Sequence, residues 1–200
     1  DVDLHQMVAD IAGIKRKSAK VVNLGIMYGM GKAKLAAQLG ITVEEAGELL
    51  DTHQEKVPFV KKLAEKASQQ AADHGQIRTL LGRRCRFHLW EPRSFGYKKP
   101  LPYEDAVKEY GMAVRRAFTY KALNKLIQGS AADQTKKAMA DCYAEGLLPM
   151  LTVHDELCFS VESEDQSRRI KDIMENGLSD VLKVPSKVDD ELKDNWGEIE

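Results

Sequence analysis

The chain has 200 residues, of which 43% are hydrophobic and 30% are charged, and this composition is typical of a folded globular protein rather than a disordered one. Its 30 basic and 31 acidic residues leave a net charge of -1, so no strong overall charge selects a partner. Three cysteines without a CxxC pair indicate neither a disulfide framework nor a zinc site, and a reducing cytoplasm fits them best. The sequence has no run of about 18 apolar residues and no signal-peptide pattern, so neither a membrane protein nor a secreted one is indicated.

Three helices are predicted in the first 75 residues. Apolar positions three or four apart predict a helix near residues 14–30, with cations at its start. Thr42 and Glu45 match the capping-box pattern, which predicts that a second helix begins there and continues to about Gln54. Pro58 is typical of a first helical turn and Gly75 of a helix end, so a third helix is predicted between them.

Strands and helices are both predicted in the rest of the chain. A short strand at 76–81 precedes a basic turn at Gly82 and an irregular, proline-rich loop at 91–103. Because no proline interrupts residues 104–145, one long helix is predicted there, ended by Gly146. Alternating apolar residues predict a β-hairpin near 150–161. A helix from Ser163 to about Leu182 and a last strand at 186–192 follow.

Basic residues are concentrated in two segments. Residues 11–43 contain six basic residues and no acidic one, and residues 78–99 contain seven basic residues against Glu91 alone. Such local excesses suit a polyanionic partner, but a solvated helix face explains the charge about equally well.

Arg16, Lys20, Leu24 and Tyr28 follow one another at four-residue spacing in the first predicted helix. This spacing drifts only about 40° per step, so the side chains would form a stripe about 18 Å long. A nucleoside triphosphate could lie along it, with its phosphates at the cations and its sugar and base towards Leu24 and Tyr28. The alternative is a helix with a basic exposed end and an apolar buried end, and the spacing alone favours that alternative.

His154, Asp155 and Glu156 lie at the bend of the predicted hairpin. Adjacent carboxylates on a rigid bend can bind Mg²⁺, which takes one or two carboxylates together with water and phosphate oxygens. An ordinary polar turn is the alternative, because Asp is a common turn residue. The three residues taken alone favour the ordinary turn.

Asn124 and Gln128 lie four residues apart in the long predicted helix, next to the small residues that begin at Gly129. Two amides on one helix face can donate to base edges in a minor groove, where the pattern of acceptors is nearly independent of sequence. A tight helix crossing explains the small residues equally well.

Together these segments resemble family A DNA polymerases, the family of bacterial DNA polymerase I and of short phage replicative polymerases. RKSAKVVNLGIMYG resembles the family's fingers-helix motif, TVHDELCFSV its last palm motif, ALNKLIQGSAAD the palm helix between them, and GQIRTLLGRRCRF the segment that usually reads RTLLGRRR. Order and spacing agree over nearly the whole chain, and the short gap between His5 and Arg16 resembles the phage branch.

The resemblance implies a role for each matching residue. The residues implied at the incoming dNTP are His5, Arg16, Lys20, Leu24 and Tyr28. Lys20 is also implied as the donor of a proton to the departing pyrophosphate. The residues implied at the primer-template DNA are Arg83, Arg84, Asn124, Gln128 and His154. Asp155 and Glu156 are implied as catalytic carboxylates and as ligands of a two-metal Mg²⁺ site.

Two departures from the family pattern matter. Leu24 occupies the position where the family usually has Phe or Tyr, which would make the contact with the nucleotide sugar aliphatic. The family's other catalytic aspartate lies in an upstream motif such as DYSQIELR, and nothing before His5 matches it. We therefore expect that the chain is a fragment that does not extend a primer alone, and that an upstream polymerase portion in the same or a second polypeptide completes the metal site.

The resemblance implies an α+β fold, in which a helical fingers subdomain at 8–75 is inserted in an antiparallel-sheet palm formed by 1–7 and 76–200, as part of the polymerase right hand. It implies template-directed DNA synthesis with dNTPs and primer-template DNA as partners, in the bacterial host cytoplasm if the protein is phage-encoded. A non-catalytic nucleic-acid-binding module is the alternative, and a helical protein of unrelated function is a weaker third.

Overall fold

The computed structural model describes residues 3, 5–6, 9–10, 13–27, 30–94 and 98–198. The chain divides into two compact units, one formed by residues 1–78 and 84–127 and the other by residues 79–83 and 128–200. Helices and small antiparallel sheets occur together, which confirms the predicted α+β class. Within the described part of the chain, no helix is both long enough and apolar enough to cross a membrane.

From residue 16 to residue 74 the described part of the chain forms four helices: α1 (Arg16–Met27), α2 (Lys32–Leu39), α3 (Val43–Lys56) and α4 (Pro58–His74). The predicted capping box is present, since the Thr42 hydroxyl accepts from the backbone N–H of Glu45 and the Glu45 carboxylate accepts from that of Thr42. Gly75 ends α4 with a φ of 66°, as its sequence position predicted. Only glycine adopts this left-handed conformation without steric cost.

Two of the apolar clusters among the described residues of the first unit each join several elements. Val22, Leu35, Ala36 and Ala46 form the cluster that joins α1, α2 and α3. The second cluster packs α4 against the sheet and helix that follow, and its buried members are Val57, Val60, Ala67, Ala71, Ile77, Phe87, Ala122 and Leu123. Leu63 of α4 is 44% exposed and does not belong to this cluster.

The described strands of the first unit form two small antiparallel sheets. Strand β1 (Gln76–Arg78) pairs with β2 (Arg84–Arg86), with Ile77 opposite Cys85. Strand β3 (Leu89–Pro92) lies between β4 (Leu101–Pro102) and β5 (Val114–Arg116). The prediction of an irregular loop throughout 91–103 was therefore wrong at both ends. Proline ends β3 and β4, positions where the missing N–H costs no ladder hydrogen bond.

The single helix predicted over 104–145 was also wrong. It is two helices, α5 (Tyr103–Tyr110) and α6 (Ala122–Ala144), separated by β5 and a 3-10 turn at Thr119–Lys121. Gly111 has a φ of 78° and a ψ of -173°, a combination that is essentially confined to glycine and that stops the helix. The chain then enters β5, whose partner β3 lies far away in the sequence.

The second unit contains the predicted hairpin, formed by β6 (Pro149–Val153) and β7 (Glu156–Phe159) in antiparallel register. Helix α7 (Glu164–Asn176) begins at Ser163 as predicted, but it ends six residues before Leu182. No strand forms at 186–192. This segment is held by side chains of α7 instead, since Glu175 accepts from the backbone N–H of Val188 and Lys171 pairs with Asp190. The core contains Cys142, Leu147 and Ile170.

Candidate functional site

The exposed face of α1 contains three of the four residues of the predicted stripe. Arg16, Lys20 and Leu24 are exposed, whereas Ala19 and Val22 of the same helix are buried. Leu24 is 36% exposed and belongs to none of the apolar clusters of described residues in the first unit. Tyr28 lies outside the described residues. The stripe therefore presents two cations and one exposed aliphatic side chain.

Asp3 links Arg16 to the segment that contains His5. Its carboxylate accepts from Nε of Arg16 at 2.6 Å and from the backbone N–H groups of His5 and Gln6 at 2.9 and 3.0 Å. The hydrogen bond from Arg16 lowers the pKa of Asp3, so the carboxylate is charged at neutral pH. Arg16 and His5, both predicted at the triphosphate, thus both donate to the Asp3 carboxylate. This role of Asp3 was not predicted from the sequence.

His5 is also held by a chain of side chains that sequence reasoning missed. Nδ1 of His5 lies 3.1 Å from Nδ2 of Asn23, and Oδ1 of Asn23 lies 2.9 Å from Nε2 of His53. Asn23 and His53 are both buried, and burial lowers the pKa of His53. The available signal was a polar residue on the buried face of α1, since such a residue needs a hydrogen-bond partner.

The hairpin turn exposes His154, Asp155 and Glu156 together. His154 has a φ of 56°, and Glu156 is the first residue of β7, paired with Val153. One oxygen of the Glu156 carboxylate accepts from Sγ of Cys158 at 3.3 Å and lies 3.5 Å from Nε1 of Trp196. The described residues offer the Asp155 carboxylate no hydrogen-bond or ion-pair partner. Asp155 is therefore the more available metal ligand of the two.

The chemistry of this pair fits Mg²⁺ only in part. Carboxylate oxygens are ligands that Mg²⁺ prefers, and one or two of them are its usual share of protein ligands. However, no group of three or more potential metal-binding side chains lies together anywhere in the described ranges. The hairpin can therefore supply one part of a metal site but not a complete protein cage.

Arg83 is engaged inside the second unit. Its Nε donates to Oδ1 of Asp133 at 2.7 Å and its Nη2 donates to the carbonyl of Gly129 at 2.7 Å. The backbone N–H of Leu80 donates to the hydroxyl of Ser130 at 3.0 Å. These bonds attach the loop at 79–83 to α6, beside the small residues of that helix.

Three further residues predicted at DNA lie in β2 and on α6. Arg84 is exposed in β2, and Gln128 is exposed on α6 one turn after the half-buried Asn124. Arg84 and Gln128 are therefore accessible to a ligand, and Asn124 is less so.

Comparison with known proteins gives a consistent assignment over nearly the whole chain. The model of DNA polymerase family A matches residues 2–198. The chain is 38% identical to a DNA-directed DNA polymerase of Pseudomonas phage M6 over 98% of its own length and 31% of that protein. It is 33% identical to DNA polymerase I of Bacillus subtilis over 98% of its length and 22% of that protein.

The fold gives the same result. The POL domain of Pol1 from M. smegmatis, solved in complex with DNA primer-template and dNTP, superposes with a TM-score of 0.67 at 29% identity. The match covers 92% of this chain and 32% of that one. The chain thus spans about a third or less of the length of these relatives.

Proposed function

This chain belongs to DNA polymerase family A, and we propose that it forms the nucleotide-binding and catalytic-carboxylate part of an enzyme for template-directed DNA synthesis. In this reaction the primer 3′-hydroxyl forms a bond to the α-phosphorus of a dNTP, the bond to the β-phosphate breaks, and pyrophosphate leaves. The observation that carries the proposal is the hairpin turn with two adjacent exposed carboxylates, Asp155 and Glu156, in a chain of this family.

The α1 stripe is proposed to bind the dNTP. Arg16 and Lys20 would pair with phosphate oxygens, and exposed guanidinium groups suit such contacts because they can donate two parallel hydrogen bonds. Arg16 would exchange its bond to Asp3 for one to phosphate. Leu24 would contact the sugar and Tyr28 the templating base. Lys20 would donate the proton that the departing pyrophosphate takes up.

Asp155 and Glu156 are proposed to hold Mg²⁺, which when bound would neutralise phosphate charge and favour the ionised primer hydroxyl. Because the described residues contain no third ligand nearby, we propose that a further polymerase segment, in the same or a second polypeptide, supplies the rest. His154 would lie beside the primer terminus.

The duplex is proposed to contact Arg84, Asn124 and Gln128. Arg84 is exposed and can approach phosphates directly, whereas Arg83 already donates to Asp133 and Gly129. We further propose that residues 8–75 act as the fingers subdomain and that residues 1–7 and 76–200 belong to the palm.

A second candidate is a non-catalytic module that binds primer-template DNA. The observation in its favour is the incomplete set of metal ligands in the described part of the chain. Both candidates predict that DNA binding weakens steeply with salt, since phosphate contacts release counterions.

Primer extension separates the two candidates. In the protein that contains these residues, Asp155→Asn keeps the side-chain shape and removes the charge, so we expect extension to fall by at least about 100-fold while the Kd for primer-template changes little. Asp180→Asn, the same change at another exposed aspartate of the second unit, is the matched control. Wild-type protein that binds DNA but never extends a primer would support the binding module and refute the enzyme.

A further inference from the structure

A buried amide joins two histidines from different parts of the first unit. Asn23 of α1 is 6% exposed and His53 of α3 is 5% exposed, whereas His5 is half-buried. His53 and Asn23 are 2.9 Å apart and Asn23 and His5 are 3.1 Å apart, so each contact is a hydrogen bond. The chemistry of the three side chains then determines which group donates in each bond.

His53 determines that direction. Its Nδ1 is buried and has no hydrogen-bond partner among the described residues. A buried N–H without an acceptor is rarer and costlier than an acceptor without a donor, so the proton of neutral His53 belongs on Nε2. Nε2 then donates to Oδ1 of Asn23, which fixes the orientation of the amide.

The fixed amide determines the proton of His5. Once Oδ1 of Asn23 faces His53, its Nδ2 faces Nδ1 of His5 and can only donate. Nδ1 of His5 must therefore accept, and the neutral ring carries its proton on Nε2. No described residue receives a hydrogen bond from this Nε2, which leaves an N–H available to an acceptor outside the chain.

We propose that Asn23 and His53 are positioning residues that hold His5 as the Nε2–H tautomer, with this N–H directed to a phosphate oxygen of the incoming nucleoside triphosphate. The inference rests on the proposed function for the identity of the acceptor. The tautomer itself depends only on the three side chains. Asp3 adds to the arrangement, because its bond to the backbone N–H of His5 fixes the segment beside Arg16.

The tautomer is tested on the 200-residue chain by long-range proton–nitrogen correlation spectra of its histidine rings, which distinguish Nδ1–H from Nε2–H. The His5 signals are identified by their loss in His5→Gln. We expect Nε2–H in the wild type. In Asn23→Asp a carboxylate that can only accept replaces the donor, so we expect the Nε2–H neutral form to be lost in favour of a ring protonated on Nδ1.

Asn176→Asp, the same change at an exposed asparagine in the second unit, should leave the His5 signals unchanged. If Asn23→Asp does not fold, Asn23→Ala removes the donor without adding charge, and both neutral tautomers of His5 should then appear. A wild-type His5 protonated on Nδ1, or a folded Asn23→Asp or Asn23→Ala protein with the wild-type tautomer, would overturn the inference.

The role at the nucleotide is tested separately in the protein that contains these residues. Asn23→Asp, in which the Nε2–H form of His5 is lost, should raise the KM for dNTP about tenfold, which is the loss expected for one hydrogen bond to a charged group. Asn23→Ala, which leaves part of the His5 population as Nε2–H, should raise the KM less. An altered tautomer with an unchanged KM would overturn the assignment of His5 to the phosphate. If the wild type extends no primer at all, the proposed function fails, whereas the spectra still decide the tautomer.

Discussion

The half-buried ion pair between Arg83 and Asp133 gives a quantitative test of how the loop at 79–83 is held. Asp133→Asn keeps the size of the side chain and removes its charge. The matched control is Glu91→Gln, because Arg115 and Glu91 form an ion pair through the same atoms, Nε and a carboxylate oxygen, at 3.0 Å. The two pairs differ mainly in burial.

The expected magnitudes follow from that burial. The Asp133 side chain is 7% exposed and that of Arg83 is 46% exposed, so the pair is only partly screened by water. Hydrogen bonds to charged groups contribute about 1.5–3 kcal/mol, and the exposure of Arg83 lowers this, so we expect Asp133→Asn to lose about 1–2 kcal/mol of unfolding free energy. Arg115 and Glu91 are 60% and 27% exposed, and we expect Glu91→Gln to lose less than about 1 kcal/mol.

Acid provides an independent check with a defined sign. Burial, the largest single influence, raises the pKa of Asp133, but hydrogen bonds from Thr79 and Arg83 and nearby positive charge outweigh it and lower the pKa below the ordinary value of 3.8. A lowered folded-state pKa stabilises the protein at pH values above the unfolded-state pKa, and that contribution is lost as pH falls through the folded-state pKa. The difference in unfolding free energy between the wild type and Asp133→Asn should therefore become smaller below about pH 4.

Urea unfolding at pH 7 and at several pH values down to 3 measures both effects. Equal losses in the two variants at pH 7 would refute the argument that burial distinguishes the pairs. A loss of unfolding free energy in Asp133→Asn that stays constant as pH falls would refute the lowered pKa of Asp133.

Three further predictions concern single positions. Gly75→Ala should lose at least about 1 kcal/mol more unfolding free energy than Gly40→Ala. Both glycines have left-handed backbones, but only at Gly75 would the new Cβ lie 2.7 Å from Cζ of Arg116, whose guanidinium donates to two backbone carbonyls. Equal losses of the two variants in urea unfolding would contradict this. Thr42→Ala should lose about 1 kcal/mol because the capping box is broken, and unchanged urea unfolding would contradict it. Leu24→Tyr should change the ratio of kcat/KM for deoxy and dideoxy nucleotides about fivefold, the equivalent of about 1 kcal/mol of ring contact, and an unchanged ratio would refute contact with the sugar.

Local chemistry explains why part of the fold could be predicted. The capping box at Thr42, the helix from Pro58 to Gly75 and the hairpin around Asp155 each depend on residues close together in the sequence. The prediction of a continuous helix over 104–145 was wrong because the break depends on the φ and ψ of Gly111 and on the pairing of β5 with a distant strand. An isolated glycine in a helical pattern does not by itself reveal such a break.

The candidate site also contains residues that could be predicted from the sequence and residues that could not. The stripe on α1 and the carboxylates of the hairpin could be predicted because each lies within one element and because their order resembles a known family, and their roles stay predictions. Asp3, Asn23 and His53 were missed because their partners lie 13, 18 and 30 residues away, and only the folded chain brings them together. The sequence contained one indication, the polar Asn23 on the buried face of an amphipathic helix.

The position of Leu24 shows why the residue least like the family pattern need not disturb the fold. Its side chain is 36% exposed and lies outside the apolar clusters, while Val22 and Ala19 on the buried face of α1 form the packing contacts. Surface substitutions away from caps, cores and strained backbone usually change stability by less than about 0.5 kcal/mol. Leu24→Tyr should therefore leave the free energy of unfolding within that range, so any change in nucleotide selection can be assigned to contact with the ligand. A destabilisation of about 2 kcal/mol or more in urea unfolding would show instead that Leu24 is part of the core.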